Sequence, residues 1–230
     1  MAATDKPGAL SGSRYLDEAA TLETPDDCIR LYQEWASSYD DNLIIGLGSV
    51  HHQRLADRFA EVAKRGDGPV LDVGCGTGLL GAELSLRGGW AIDGLDISPE
   101  MLAEAVEKSN PAGEPLYGTL ITADLTRSLA AADNTYGSVV SAGLFKPGHA
   151  GPGVIGELVR ITRPGGLLVL GVDSDFYSEY GFDRYLASLV NEGSVGGLSV
   201  TVEPVYVGSY EGPDHDHATD TAHLIVMRAN

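Results

Sequence analysis

Cysteine and basic residues are scarce in this 230-residue sequence, and each shortage excludes a class of protein. The two cysteines, Cys28 and Cys75, are too few for a disulfide framework. The 15 lysine and arginine residues face 33 acidic residues, which gives a formal net charge of −18. A chain this acidic cannot neutralise a run of phosphates, so we expect neither nucleic acid nor an anionic membrane as a partner.

The beginning of the chain also lacks the apolar stretch of a signal peptide. Residues 1–23 are polar, small and without periodicity, and they are predicted to form a mobile arm. Together with the few cysteines, this favours a cytoplasmic protein. The 43% of hydrophobic residues is enough for a globular core, and we expect residues 24–230 to form a single domain.

Residues 24–66 are predicted to form an N-terminal helical cap. Thr24, followed by Pro25 and two acids, has the residue types of a helix start. An apolar stripe at helical spacing follows, made of Cys28, Leu31, Tyr32, Trp35 and Tyr39. A second helix is expected from about Ser49 to Lys64.

Residues 67–172 alternate short apolar runs with helical segments, which is typical of a parallel sheet covered on both faces. Five strands are expected, at Val70–Val73, Trp90–Leu95, Leu116–Thr122, Ser138–Ala142 and Leu167–Val172. Residues 173–230 should add an aromatic-rich helix and an antiparallel edge hairpin, Leu198–Val207 with Ala222–Met227. The predicted fold class is α/β, with three αβα layers around a seven-stranded, mostly parallel sheet.

The most informative stretch is Val70–Gly81, where an apolar strand runs into alternating glycines and then a helix. Glycine lets the backbone approach a ligand closely, and a helix N-terminus offers unpaired N–H donors. This loop is therefore predicted to bind a ligand. Because Gly76-x-Gly78-x-x-Gly81 also matches the dinucleotide pattern, an NAD-dependent oxidoreductase stays open as an alternative.

Asp72 argues against the dinucleotide, because a carboxylate two residues before the first glycine would repel a pyrophosphate. It would attract a ligand with a cationic amino group and a sulfonium. The run Leu71-Asp72-Val73-Gly74-Cys75-Gly76-Thr77-Gly78 resembles the first motif of the class I S-adenosylmethionine-dependent methyltransferases. The resemblance implies a Rossmann-like fold and S-adenosyl-L-methionine as cofactor, with these residues around it: Asp72, Gly74, Cys75, Gly76 and Gly78.

Two further motifs extend the resemblance, which covers about residues 28–172. Asp96 resembles the acid that binds both ribose hydroxyls, and Ile97 would then pack on the adenine. Asp124 and Leu125 resemble the pair whose carboxylate and backbone N–H bind the adenine amino group and a ring nitrogen. The alternatives are a helix N-cap for Asp96 and a solvated acid for Asp124.

Within that superfamily, the pattern Leu31-Tyr32-x-x-Trp35-Ala36-x-x-Tyr39-Asp40, with Gly148–Pro152 later, resembles the Williams-Beuren-region methyltransferase-like group. In related enzymes the N-terminal aromatic helix folds over the cofactor. The resemblance implies that Tyr39 meets the methionine carboxylate and that Trp35 forms a wall. The alternative is an ordinary amphipathic helix that packs its aromatic stripe on the sheet.

Methyl transfer from a sulfonium needs alignment more than a nucleophile on the enzyme. His149 follows the fourth strand, beside the expected methyl position, and is the candidate catalytic base. The alternative is a hydrogen-bonded structural histidine. His51-His52 receives no role, and no metal site is expected, although His215-Asp216-His217 has suitable ligand types.

An aromatic set is predicted to bound a small, partly apolar acceptor, with burial in the core as the alternative: Phe145, Phe176, Tyr177 and Tyr180. The predicted function is thus S-adenosylmethionine-dependent methyl transfer to a small-molecule acceptor. A cofactor-binding protein of the same fold that does not methylate, such as a cyclisation catalyst or a regulator, is the main alternative. A homodimer is compatible with the sequence.

Overall fold

The computed structural model describes residues 12–207 and 219–230. The α-helices in these ranges are α1 (Gly12–Ala19), α2 (Pro25–Trp35), α3 (His51–Val62), α4 (Leu79–Arg87), α5 (Pro99–Val106), α6 (Val154–Ile161), α7 (Ser174–Glu179) and α8 (Phe182–Asn191). Between α2 and α3 the chain makes a 3₁₀ turn and a π-helical segment, at Ala36–Ser38 and Asp41–Gly46.

One sheet holds the strands β1 (Val70–Val73), β2 (Ile92–Asp96), β3 (Leu120–Thr122), β4 (Tyr136–Phe145), β5 (Thr162–Asp173), β6 (Val195–Pro204) and β7 (Thr221–Ala229). Their order is β3-β2-β1-β4-β5-β7-β6. β1 to β5 are parallel, whereas β7 runs antiparallel to β5 and β6. The predicted fold class is therefore confirmed, including the antiparallel hairpin at the C-terminal edge.

The strand order reverses between β1 and β4, because the chain first proceeds outward to β3 and then returns to the other side of β1. In an open α/β sheet such a switch point leaves a crevice at the carboxyl ends of the strands. The two segments that leave β1 and β4 at this edge are the glycine-rich loop and the loop before α6. The fold thus places a cleft next to both.

The core lies on both faces of the sheet. In β5, Leu168 and Leu170 pack on one face, with α6 and α8, whereas Leu167 and Val169 pack on the other, with α3 and α4. All four side chains are fully buried. Because successive strand residues point to opposite faces, this continuous apolar run requires helices on both sides of the strand.

The prediction of a mobile arm over residues 1–23 is wrong for residues 12–19, which form α1. Tyr15 is 3% exposed, and its ring stacks on Trp35 of α2 with 4.8 Å between the centroids. Burying an aromatic ring against another one stabilises a helix that the polar composition alone does not favour. Residues 1–11 lie outside the described residues, as does His215-Asp216-His217.

The predicted strand Leu116–Thr122 is shorter in the structure, where β3 holds only Leu120–Thr122. Leu116 and Tyr117 are buried beside α4 instead, and the Tyr117 ring occupies the space that a side chain at Gly81 would need. The N-terminal helix begins at Pro25 as predicted. No helix within the described ranges is long and apolar enough to cross a membrane.

Candidate active site

The glycine-rich loop connects β1 to α4 and forms one wall of the cleft. Gly74, Gly76 and Gly78 have φ values of 66°, 55° and 91°, in the left-handed region that other residues rarely adopt. The N–H groups of Gly74 and Cys75 donate to the carbonyl of Leu95 in β2, at 2.7 and 3.0 Å. These bonds hold the loop in place, with Gly74 and Gly76 lining a cleft of about 70 Å³.

Asp96 ends β2 and points into the same cleft. Its carboxylate accepts the N–H of Gly76 at 2.8 Å and the N–H of Ser98 at 2.9 Å, one on each oxygen. Burial raises the pKa of Asp96, although the backbone donors act in the opposite direction. The group is therefore a fixed acceptor that has lone pairs left for ligand hydroxyls. Ile97 follows it along the cleft wall.

Asp124 and Leu125 follow β3 and complete this side of the cleft. One oxygen of Asp124 accepts from the backbone and the hydroxyl of Thr126, at 2.9 and 2.6 Å. The other oxygen lies 3.3 Å from Arg127. The carboxylate is therefore oriented by its own loop before any ligand arrives, and the apolar side chains of Ile97 and Leu125 lie in the same lining.

Tyr39 lies at the other wall, where the N-terminal cap reaches the cleft. Burial raises the pKa of its phenol, so the group stays protonated. The next residue, Asp40, accepts from the Thr77 hydroxyl at 2.5 Å and from the Lys108 ammonium at 2.6 Å. Because Lys108 also donates to the Thr77 carbonyl, these three residues tie the cap to the glycine-rich loop.

Trp35 does not line the cleft, contrary to the wall implied by the resemblance. Its side chain is fully buried between Tyr15 and Tyr32, and both stacking pairs are nearly parallel. The indole N–H donates to the Asn42 side chain at 2.9 Å, so its polar group is satisfied inside the cap. Tyr32, which lies one helical turn before Trp35, lines the cleft together with Tyr39.

Asp72 is not part of the cleft lining, nor are Cys75 and Gly78. The Asp72 side chain is fully buried and accepts the hydroxyl of Tyr117 at 2.8 Å on one oxygen, while its other oxygen has no partner. Burial raises the pKa of this carboxyl to about 7. Asp72 points away from the cleft because strand side chains alternate between the two faces of a sheet.

His149 lines the cleft, but both ring nitrogens already have partners. Nδ1 lies 2.7 Å from the Pro147 carbonyl, so it carries the proton, and Nε2 accepts the Tyr32 hydroxyl at 3.0 Å. Burial lowers the pKa of His149 to about 3. This geometry favours the structural alternative over the predicted general base, because no lone pair is left for an acceptor proton.

Several lining residues were not predicted as site residues, and most belong to the cap, to the end of β4 or to the loop after it. They are Pro25, Cys28, Tyr32, Met101, Ala123, Thr126, Ala142, Gly143, Leu144, Gly148 and Ala150. Cys28 donates its thiol to the Gly148 carbonyl at 3.0 Å, and burial raises its pKa to about 11. In the sequence, the helical spacing of Cys28, Tyr32 and Tyr39 is the signal that could have predicted the cap residues of the lining.

A second, larger cavity of about 400 Å³ adjoins the cleft and shares three residues with it, Tyr39, Ala142 and Gly143. Two predicted acceptor walls line it, Phe145 and Phe176, whereas Tyr177 and Tyr180 do not. His51 and His52, which received no role from the sequence, both line this cavity. Across residues 12–207 and 219–230, no group of three His, Cys, Asp or Glu side chains is placed to hold a metal.

Sequence comparison finds relatives with named activities. The family described as "Methyltransferase domain" matches residues 70–166, from β1 into β5. Methyltransferase-like protein 27 from Homo sapiens is 33% identical over 146 residues, which cover 62% of this chain and 56% of that protein. Phosphatidylethanolamine N-methyltransferase from Cereibacter sphaeroides is 36% identical over 145 residues, which cover 63% of this chain and 67% of that protein. The matched region thus spans little more than half of the human relative.

Structure comparison agrees on the fold. A SAM-dependent methyltransferase from Aquifex aeolicus superposes with a TM-score of 0.55 and 20% identity, covering 78% of this chain and 92% of that chain. At that identity the likeness concerns the fold alone. The family predicted from the glycine-rich loop and the two acidic motifs is confirmed by the sequence matches. The chain belongs to the class I methyltransferases, whose cofactor is S-adenosyl-L-methionine.

Proposed function

We propose that this protein transfers a methyl group from S-adenosyl-L-methionine to a small-molecule acceptor that enters the 400 Å³ cavity. The observation that carries the proposal is the shared wall of Tyr39, Ala142 and Gly143 between the carboxylate-lined cleft and that cavity. A cofactor on one side of this wall and an acceptor on the other would meet at the carboxyl end of β4, where α/β enzymes place their chemistry.

The cleft residues fit the adenosyl part of the cofactor. Asp96 and Asp124 are two oriented carboxylates on neighbouring strand ends, suited to ribose hydroxyls and an exocyclic amine. Ile97 and Leu125 offer an apolar slot between them for a planar base. The glycines at positive φ let the backbone lie close to the ligand, which supports the proposed roles of Gly74 and Gly76.

When bound, the cofactor supplies an electrophilic methyl group on a sulfonium. The chain contributes orientation, which accounts for up to about 7–11 kcal/mol of the barrier in well-aligned cases. Asp96 fixes the ribose end, while Tyr39 closes the opposite wall and offers a neutral phenol to the methionine carboxylate. Asp72, Cys75 and Gly78 act at a distance, by shaping β1 and the first turn of α4.

His149 has a positioning role in this proposal. It holds the Tyr32 hydroxyl, and the Tyr32 ring in turn contacts Trp35 and Tyr39, which keeps the cap aligned over the cleft. The cation of Lys146 lies over the Tyr32 ring, 5.5 Å from its centroid. These contacts exclude water from the cofactor side rather than accept a proton from the substrate.

Two observations support a small acceptor. A cavity of about 400 Å³ lies within the range of small-molecule sites, roughly 300–1,000 Å³. The net charge of −18 disfavours nucleic acid as the methylated species. The Cereibacter sphaeroides relative is named for N-methylation of phosphatidylethanolamine, so an amine acceptor has a precedent among the relatives.

Calorimetry with S-adenosylhomocysteine tests the cofactor half of the proposal. We expect binding by the intact protein and its loss in Asp96→Ala, whereas Asp133→Ala, a surface acid paired with Arg160, should bind normally. Incubation with methyl-labelled cofactor and a cell extract tests the acceptor half. The label should appear in the fraction of small molecules.

Each alternative has its own outcome. Label in protein or nucleic acid alone would contradict a small acceptor. Tight binding of S-adenosylhomocysteine with no labelled product would favour the non-methylating protein of the same fold. Absence of binding, together with a fluorescence change on titration with a nicotinamide cofactor, would favour the oxidoreductase.

A further inference from the structure

The charged groups around the 400 Å³ cavity are strongly unequal. Among the described residues, its lining holds five carboxylates and one ammonium, that of Lys146, and two of the acids, Asp17 and Asp220, have interaction partners of their own. The acids are Asp17, Asp173, Asp175, Glu179 and Asp220. Concave sites with low-dielectric walls concentrate such a field, so the cavity attracts cations.

Within residues 12–207 and 219–230, no neighbouring side chain neutralises the exposed carboxylates at the end of β5. Asp173, Asp175 and Glu179 have no ion pair within the described part of the chain. The pKa of Asp173 is raised by burial and by the charges of Asp175 and Asp220. The amine of Lys146 sits instead over the Tyr32 ring, toward the cofactor cleft.

A histidine on the same face of the sheet gives a second, independent indication of a ligand. His51 is 6% exposed and lines the cavity. Its buried Nδ1 has no hydrogen-bond partner among the residues that the structure describes. Its Nε2 lies over Gly171 of β5, where any side chain would overlap the ring. Asp173 lies two residues further along β5, so its side chain points to the same face, about 7 Å along the strand. A buried polar group without a partner carries a free-energy cost that a ligand can remove.

Resting on the proposed function, we propose that the methyl acceptor carries an ammonium group. The carboxylates of Asp173, Asp175 and Glu179 attract this cation to the end of β5, and the neutral imidazole of His51 forms a hydrogen bond with a polar group of the acceptor. Phe145 and Phe176 contact its apolar part. The cavity therefore selects amines over neutral and anionic molecules of the same shape.

Matched probe molecules test this preference by calorimetry on the protein saturated with S-adenosylhomocysteine. One set is 2-phenylethylamine, 2-phenylethanol and 3-phenylpropanoate, and the other is hexylamine, hexanol and hexanoate. We expect each amine to bind at least about tenfold more tightly than the matching alcohol and the matching acid. The reason is that the ammonium group of the amine would have two or three carboxylates of the cavity within reach. Equal or weaker amine binding in both sets, or no amine binding at all, would overturn the proposal.

A charge variant locates the effect. In Asp173→Asn/Asp175→Asn the amines should bind about fivefold or more weakly and the alcohols within about twofold of the wild type. Asp173 accepts the N–H of Phe176 in the first turn of α7, and an asparagine at this position can still cap the helix. The control Asp183→Asn/Glu192→Gln changes the net charge equally, at an exposed position of α8 and at its exposed C-cap. It should change the binding of neither the amines nor the alcohols. Equal losses in both variants would contradict a specific site.

Imidazole NMR on the wild type tests His51. Amine addition should shift the ¹⁵N resonances of His51, identified by their absence in His51→Gln, and leave those of His149 unchanged. No shift at His51 would remove its part of the proposal. Because S-adenosylhomocysteine binding is measured separately, its loss would count against the proposed function, whereas its presence with no amine preference would count against this inference alone.

Discussion

Asp72 and Asp96 are two buried carboxylates on neighbouring strands with opposite surroundings. Asp96 ends its strand, faces the cleft and holds two backbone N–H donors. Asp72 lies one strand over, inside β1, and has one phenol donor and one oxygen without a partner. Burial raises the pKa of both groups, so burial alone does not distinguish a binding acid from a structural one. The two groups differ instead in the direction of the side chain and in its donors, and these place only Asp96 in the cleft.

The two amide variants should separate these acids by their effect on cofactor binding. Asp96→Asn removes the charge from up to two hydrogen bonds to the ligand, so S-adenosylhomocysteine should bind about a hundredfold more weakly, a loss of about 2.7 kcal/mol. Asp72→Asn should bind within about twofold of the wild type, because its side chain lies outside the cleft. Isothermal calorimetry measures both. Equal losses would show that the two acids form one site.

Replacing Asp72 should change the free energy of unfolding, although it should not change cofactor binding. Its folded pKa of about 7 lies above the unfolded value of 3.8, so the folded state takes up this proton more readily and loses stability as pH rises from about 4 to 7. A shift of this size corresponds to at most about 4 kcal/mol, and Asn leaves one polar atom without a partner. We therefore expect Asp72→Asn to be about 2 kcal/mol more stable at pH 8.

Urea unfolding at pH 8 and pH 4 measures that difference, which should vanish at pH 4, where the wild-type carboxyl is protonated in the folded state. Tyr117→Phe is the matched control. It removes the hydrogen bond that Asp72 accepts from the Tyr117 hydroxyl, and it should destabilise the protein more at pH 8 than at pH 4. A pH-independent gain in Asp72→Asn would contradict a charged carboxylate at this position.

The link between the cap and the glycine-rich loop should contribute less. Lys108→Met removes the bonds to Asp40 and to the Thr77 carbonyl, at 2.6 and 2.5 Å. Since both partners are partly exposed, we expect a loss of about 1 kcal/mol, or about 2–4 °C in Tm. Differential scanning calorimetry measures it, with the exposed Lys64→Met as control. A similar change in the control would show that only the net charge matters.

The smallest expected effect is an absence of titration. Burial lowers the pKa of His149 and His51 to about 3 and that of His52 to about 4. NMR should therefore show no titration of these rings between pH 5 and pH 8. In the unfolded chain these histidines take up protons near pH 6.5, whereas in the folded protein they do not. The protein therefore loses stability as the pH falls below about 6.5. A ring that titrates near 6.5 would mean that its cavity is open to water.

Most of the sheet could be predicted from the sequence, because parallel strands buried on both faces appear as short apolar runs. Asp96, Asp124, Gly74 and Gly76 directly follow those runs, so the sequence predicts their position at the strand ends, where they line the cleft. The sequence does not predict that Asp72 lies outside the cleft. The motif places this residue close to the loop, but it does not tell toward which face of the sheet the side chain points. The hydroxyl of Tyr117, which donates to Asp72 on that face, lies 45 residues away in sequence.

The cap was harder to predict, because its contacts join distant segments. Tyr15 lies in a polar stretch, and only its packing on Trp35 makes α1 part of the fold. In the same way, the place of His149 in a loop after β4 predicts a base. Its partner Tyr32 lies 117 residues away, so the hydrogen bond that occupies Nε2 has no sequence signature.

The position of the aromatic cap has a practical consequence for work with fragments. The segment that matches the family begins at residue 70, yet Pro25, Cys28, Tyr32 and Tyr39 all line the cleft. A clone cut to the family match would retain Asp96 and Asp124 and lose the opposite wall. With the cofactor placed as proposed, such a fragment would leave the sulfonium open to bulk water, so an inactive truncation would say nothing about the chemistry of the whole chain.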